Sequence, residues 1–130
     1  MKPQITDATI EAVRRLVRLH NPAYEEETGM GPCGALAVVL ARAGWGEIAF
    51  VETTDAEKTD DCQWYPHYVI IGGDGEIIDV SGEYMVEIQP TPVYREIMPV
   101  EESDILQSGP GTVYRKSDVD FWQARLAEVI

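Results

Sequence analysis

The chain has 130 residues, of which 45% are hydrophobic and 25% charged, with a formal net charge of −13. That size predicts one domain, residues 1–130, whose core stands without cross-links. So acidic a surface, with no Lys/Arg clusters and no apolar run of membrane-spanning length, excludes nucleic acid and anionic membranes as partners and leaves a basic protein compatible.

Residues 6–20 have the apolar spacing of an amphipathic helix: Ile10, Val13, Leu16 and Val17 share one side, and Arg14, Arg15 and Arg18 take the other. Thr6 or Asp7 caps its start and Asn21-Pro22 ends it, which leaves His20 beside the carbonyl end of the dipole. Residues 23–30 are polar and without period, and read as a loop. A second helix is expected over residues 32–43, with Pro32 in the first turn and Gly44 just past the end. Leu36, Val39, Leu40 and Ala43 form its stripe, but Ala35, Ala37, Val38 and Ala41 make it apolar nearly all round, the pattern of a central buried helix. Its small residues Gly34, Ala35 and Ala37 admit a neighbouring backbone at close range.

Strands are expected at 47–52, 64–71 and 76–80, and shorter ones at 84–89, 93–100 and 112–114. A closing helix over 118–129 carries Phe121, Trp122, Leu126 and Val129. Helices first, then a meander, then a helix indicate an α+β fold with an antiparallel sheet. Between the second and third strands, Gly72-Gly73-Asp74-Gly75 marks a hairpin. Its parity matters. A two- or four-residue loop puts His67 and Asp79 on opposite faces of the sheet, whereas a three-residue loop with Gly75 left-handed puts them on one face, within hydrogen-bond reach.

Cys33 carries the chemistry. It stands in Gly31-Pro32-Cys33-Gly34-Ala35, where a loop enters the buried helix. The free N–H groups and positive dipole end of a helix start favour a thiolate, which is a nucleophile once a base and an orienting group lie beside it. His67 and Asp79 on adjacent strands offer those two groups. Asp79 also interrupts an apolar run, Ile77-Ile78-Asp79-Val80, and a buried carboxylate there needs a partner. Alternatives stay open for each residue: Cys33 as a small buried hydrophobe, His67 as a satisfied core histidine, and Asp79 as an exposed cap of the Ser81-Gly82 turn. Cys62, beside Asp60 and Asp61, lacks an activating setting. Cys33, Cys62, His67 and Asp79 have no metal-ligand spacing, so neither a metal nor another cofactor is expected. With no export signal after Met1, both cysteines are expected reduced in the cytoplasm.

The order of these pieces resembles the papain-like cysteine peptidase fold in its broad sense, which includes papain-type, NlpC/P60-type and transglutaminase-like enzymes and small bacterial and phage proteins of the same core. The likeness spans about residues 31–82: Gly-Pro-Cys-Gly-Ala-Leu-Ala opening a buried helix, then His67-Tyr68-Val69-Ile70, a Gly-Asp-Gly turn, and Ile-Ile-Asp-Val-Ser-Gly. The resemblance implies Cys33 as nucleophile, His67 as general base and acid, and Asp79 as the orienting group. It implies a thiol-dependent peptidase, amidase, deamidase or acyltransferase acting on a protein or peptide-like substrate. Papain-type enzymes place a Gln shortly before the Cys as oxyanion donor, and this chain has none between Gln4 and Gln63. The donors expected here are the Cys33 N–H together with Asn21, Thr28 or an amide of the 23–30 loop. A non-catalytic acidic binding or inhibitor module, or a viral structural or assembly protein, is the alternative use of the same fold.

Overall fold

The computed structural model describes residues 5–55, 64–81, 92–107 and 114–130. Among them are four helices, α1 (Asp7–Thr28), α2 (Cys33–Arg42), α3 (Glu102–Gln107) and α4 (Lys116–Leu126). The strands are β1 (Glu47–Asp55), β2 (Tyr65–Ile71), β3 (Ile77–Ile78) and β4 (Pro92–Pro99). The strands form one antiparallel sheet in the order β3-β2-β1-β4, so the architecture is α+β. No helix among the described residues is long and apolar enough to cross a membrane.

α2 is the centre of the core. Every residue from Gly34 to Leu40 is buried, as its all-round apolar sequence requires. One face of the sheet (Ile48, Tyr68, Ile70, Ile78 and Val80) packs on it, and α1 and α4 close the other sides with Val13, Val17, Val119, Trp122 and Leu126. The opposite face of the sheet carries a smaller cluster of Ala49, Val51 and Val69.

The first helix departs from the sequence expectation. It does not stop at Asn21-Pro22 but runs through Pro22 to Thr28, so most of the expected 23–30 loop is helical. An internal proline loses one backbone hydrogen bond and crowds the preceding turn, at roughly 3 kcal/mol. Tertiary packing outweighs that cost. Tyr24, 1% exposed, is buried between Phe121 and Trp122 at ring-centroid distances of 5.2 and 5.4 Å, and this contact exists only if the helix continues. His20 therefore lies two turns inside the helix and is not a terminal dipole partner. Arg14, expected on the solvent side, instead reaches across to the backbone carbonyl of Asp79 through Nε at 3.2 Å and Nη2 at 3.0 Å.

The hairpin takes the odd-parity form. Ile71 pairs with Ile77 and Ile70 with Ile78, the Gly72 N–H donates to Glu76 O at 2.8 Å, and the Gly75 N–H donates to Gly72 O at 2.9 Å. Gly75, at φ 87°, occupies the left-handed position that only a residue without Cβ enters freely. His67, Val69, Ile77 and the Asp79 that follows thus fall on one face. β3 is shorter than the expected 76–80 because the chain leaves the ladder at Asp79, whose carboxylate accepts from the Ser81 N–H at 3.1 Å.

β4 contains a register shift opposite Phe50–Glu52. Phe50 pairs with Met98 but Glu52 with Arg95, so β4 has one extra residue, where Glu96 adopts φ 55°. Since side chains alternate with period two, this bulge flips everything before it. It pairs Tyr94 with Thr53 and puts the tyrosine on the face of His67 and Asp79; unbulged, it would pair with Thr54 on the α2 face.

The expected strand at 84–89 and Cys62 lie outside the described residues, as do 112 and 113. Tyr114 is not in a strand; its N–H donates to Ile105 O at 3.0 Å. The helix α3 was not legible in the sequence, and α4 begins and ends earlier than the 118–129 span.

Candidate active site

Cys33 is the first residue of α2, preceded by Pro32, and its thiol is free and half-buried. Its own N–H, at the helix start, has no intrahelical acceptor. β2 brings His67 to the sulfur, and the turn after β3 brings Asp79 to His67. His67 Nε2 is 2.9 Å from Asp79 Oδ1, with both residues buried at 6% and 4% exposure. That contact occupies Nε2 and leaves Nδ1 as the ring nitrogen for the thiol. Cys33 meets β2 alongside Tyr68, whose backbone N–H is also a partner of the sulfur. The structure therefore brings Cys33, His67 and Asp79 into one connected group.

The electrostatics of the group are mutually reinforcing. For Cys33, burial is the largest influence and disfavours the thiolate. The hydrogen bond and charge of His67, the Tyr68 N–H and the Tyr114 hydroxyl together outweigh it and hold the thiol below its ordinary range. For His67, burial again opposes the charged form, but the charge and hydrogen bond of Asp79, with smaller contributions from Cys33, push it up to about 10. Asp79 follows the same pattern: burial raises it, and His67, the Ser81 N–H and Tyr94 bring it below the usual carboxylate range. The three directions agree: Cys33 and Asp79 are shifted toward their charged forms by His67, and His67 toward its charged form by both of them, so the central ring couples to each neighbour.

Both carboxylate oxygens of Asp79 are engaged. Oδ1 accepts from Ser81 N–H as well as facing His67, and Oδ2 accepts the Tyr94 hydroxyl at 2.9 Å. Turn capping and His67 contact are thus both present, and the residue is buried, not an exposed cap. Curling of the sheet lets Tyr94, from one edge strand, reach a residue beyond the other edge. Arg14 fixes the Asp79 main chain from behind.

Tyr114 is a further neighbour of Cys33. Its hydroxyl donates to Gly31 O at 2.7 Å, hydrogen-bonds with the Gly34 backbone, and lies 3.7 Å from Cys33 Sγ. Its ring covers Gly34 so closely that a Cβ there would stand 2.1 Å from Cε2. The small residue at 34 therefore admits an aromatic ring, where the sequence suggested a neighbouring backbone.

Sequence reasoning missed Tyr94, Tyr114 and Arg14. The glycine following the cysteine was a signal that something packs on the helix start, but nothing local names the partner. The expected oxyanion donors are not displayed as expected either: Thr28 spends its hydroxyl proton on Tyr24 O at 2.8 Å, and Asn21 lies within α1. Among the described residues no group of three or more His, Cys, Asp or Glu is arranged to hold a metal ion. Comparison with protein-family models, curated proteins and solved structures gave no match.

Proposed function

We propose that this protein is a thiol-dependent hydrolase or acyltransferase of the papain-like type, with Cys33 as nucleophile, His67 as acid and base, and Asp79 as the group that orients and charge-balances His67. The observation that supports this most is the His67 ring held by Asp79 on Nε2 while its other side acts on a thiol at a helix start.

In the first half-reaction the Cys33 thiolate attacks an amide or ester carbonyl. A C–S bond forms and the C=O π pair moves onto oxygen. Collapse of that tetrahedral species breaks the C–N or C–O bond, and the leaving group takes the proton from His67. Neutral His67 then removes a proton from water, or from an acceptor amine, as that nucleophile attacks the thioester carbonyl; collapse of the second tetrahedral species breaks the C–S bond, releases the acid or new amide, and leaves the Cys33 thiolate beside the His67 imidazolium. Asp79 keeps the ring in the required orientation throughout and stabilises the imidazolium form. Peptides or protein side-chain amides are the substrate class, and a basic protein suits a chain of net charge −13.

The test is covalent trapping. p-Nitrophenyl acetate should acetylate Cys33, detected as an acetyl thioester by peptide mass spectrometry, with release of p-nitrophenolate. Cys33→Ala should abolish both signals. Acetyl groups found only on lysines, with Cys33 unmodified, would rule out the thioacyl pathway.

A further inference from the structure

The missing glutamine leaves the oxyanion with one identifiable donor, the Cys33 N–H, and the surroundings of the sulfur offer a second. Resting on the thiol-enzyme reading above, we propose that the Tyr114 hydroxyl is the second oxyanion donor and so a catalytic residue of this site.

The position of the hydroxyl beside the sulfur supports that role. In the resting state the hydroxyl stands 3.7 Å from Cys33 Sγ, a loose contact for a hydrogen bond to sulfur. As the thiolate attacks, its charge moves one bond beyond the new carbon, onto the former carbonyl oxygen. A donor that lies loosely beside the sulfur is well placed to approach that oxygen. Its interaction then strengthens in the transition state relative to the ground state, which is the condition for accelerating the reaction.

The hydroxyl is also held in place before the reaction starts. It donates to Gly31 O at 2.7 Å and hydrogen-bonds with the Gly34 backbone, so both sides of the Cys33 turn fix its position. The ring itself is locked: Tyr114 is 2% exposed and sits flush on Gly34, and its main chain is tied to Ile105 O. Rotation about the C–O bond turns the hydroxyl proton from Gly31 O toward the Cys33 side, where the oxyanion forms. Burial and the nearby Cys33 charge raise the phenol pKa, so the proton it needs is present whenever the thiolate is.

Two reactions of the same sulfur separate this role from the alternatives. Alkylation by iodoacetamide is a displacement at carbon and builds no oxyanion, whereas acylation by p-nitrophenyl acetate passes through one. In Tyr114→Phe, acylation of Cys33 should slow by about 100-fold or more. Iodoacetamide alkylation, measured where the thiol is fully ionised, should change less than about threefold, since little charge is delivered to Tyr114 in that reaction. Equal slowing of both, or no slowing of either, would overturn the proposal and reduce Tyr114 to a brace for the 29–32 turn. Should Tyr114→Phe fail to give a cooperative melt, 3-fluorotyrosine at position 114 keeps the shape and strengthens the donor. It must raise the acylation-to-alkylation ratio, and an unchanged ratio overturns the proposal. A native chain that alkylates normally but never acylates Cys33 removes the oxyanion role outright. One whose Cys33 does neither removes the nucleophile and this proposal together.

Discussion

His67→Ala should cut turnover of any acyl substrate by about 100- to 10,000-fold, the usual contribution of a positioned acid–base group. It should also slow alkylation of Cys33 at neutral pH by roughly 30-fold, because an unassisted thiol is only a few per cent ionised there. Both follow from the balance at the sulfur. Burial is the largest single influence on Cys33 and opposes ionisation; His67 supplies the two strongest influences on the other side. Removing the ring leaves burial less opposed, with only the Tyr68 N–H and Tyr114 to stabilise the thiolate. The alkylation loss should shrink as pH is raised above the thiol range, whereas the turnover loss should persist, since the missing proton donor is not restored by base. Alkylation rates across pH, compared with turnover on the same variant, separate the two contributions. An unchanged alkylation profile would mean that His67 does not act on Cys33.

Asp79→Ala should destabilise the fold by about 3–5 kcal/mol, the cost of leaving one member of a buried pair without its partner. The carboxylate is 4% exposed and satisfies His67, Ser81 and Tyr94 at once, so alanine orphans three groups. Asp79→Asn should cost less, about 1–2 kcal/mol. Its amide oxygen can still accept from His67 and Ser81 but its NH2 cannot accept from Tyr94, and its lack of charge should move the Cys33 thiol back toward its ordinary range. If Asp79 served only to cap the turn at Ser81, both variants would stay within about 1–2 kcal/mol and leave Cys33 reactivity alone.

The pH dependence of that stability has a definite sign. Asp79 is depressed below its ordinary 3.8, so its contribution is complete above that value and fades as pH falls through the lower folded value. His67 is raised from 6.5 to about 10, so its contribution is complete below 6.5 and is lost as pH rises toward 10. The stability gap between the native chain and Asp79→Ala should therefore be widest between about pH 4 and 6.5 and close on either side. Denaturant titrations of both chains at several pH values check this.

Those parts of the fold that depend on local pattern could be read from the sequence. Helix α2 announces itself because no face of residues 34–41 is polar, and Gly73-Asp74-Gly75 mildly favours the three-residue connection that the hairpin adopts. Features set by distant contacts could not. Pro22 is a helix breaker in any local account, and only the docking of Tyr24 on Phe121 and Trp122, about a hundred positions away, carries α1 past it. At the site, Cys33, His67 and Asp79 stand out because each is a chemical anomaly in its own segment. Tyr94 and Tyr114 are ordinary half-apolar residues until the β4 bulge turns one toward Asp79 and Gly34 makes room for the other. A bulge of one residue leaves no periodic trace in a strand as short as Pro92–Pro99, which is why Tyr94 could not be assigned a face beforehand.

The central claim is that Cys33 rests as a thiolate paired with the His67 imidazolium. Ultraviolet titration of thiolate absorbance in a Cys62→Ser chain measures this directly, since Cys33 is then the sole thiol. The account predicts that Cys33 ionises below the range of a free thiol, that the signal disappears in Cys33→Ala, and that its midpoint rises in His67→Ala. A Cys33 that stays protonated up to the ordinary thiol range or beyond, with or without His67, would contradict it.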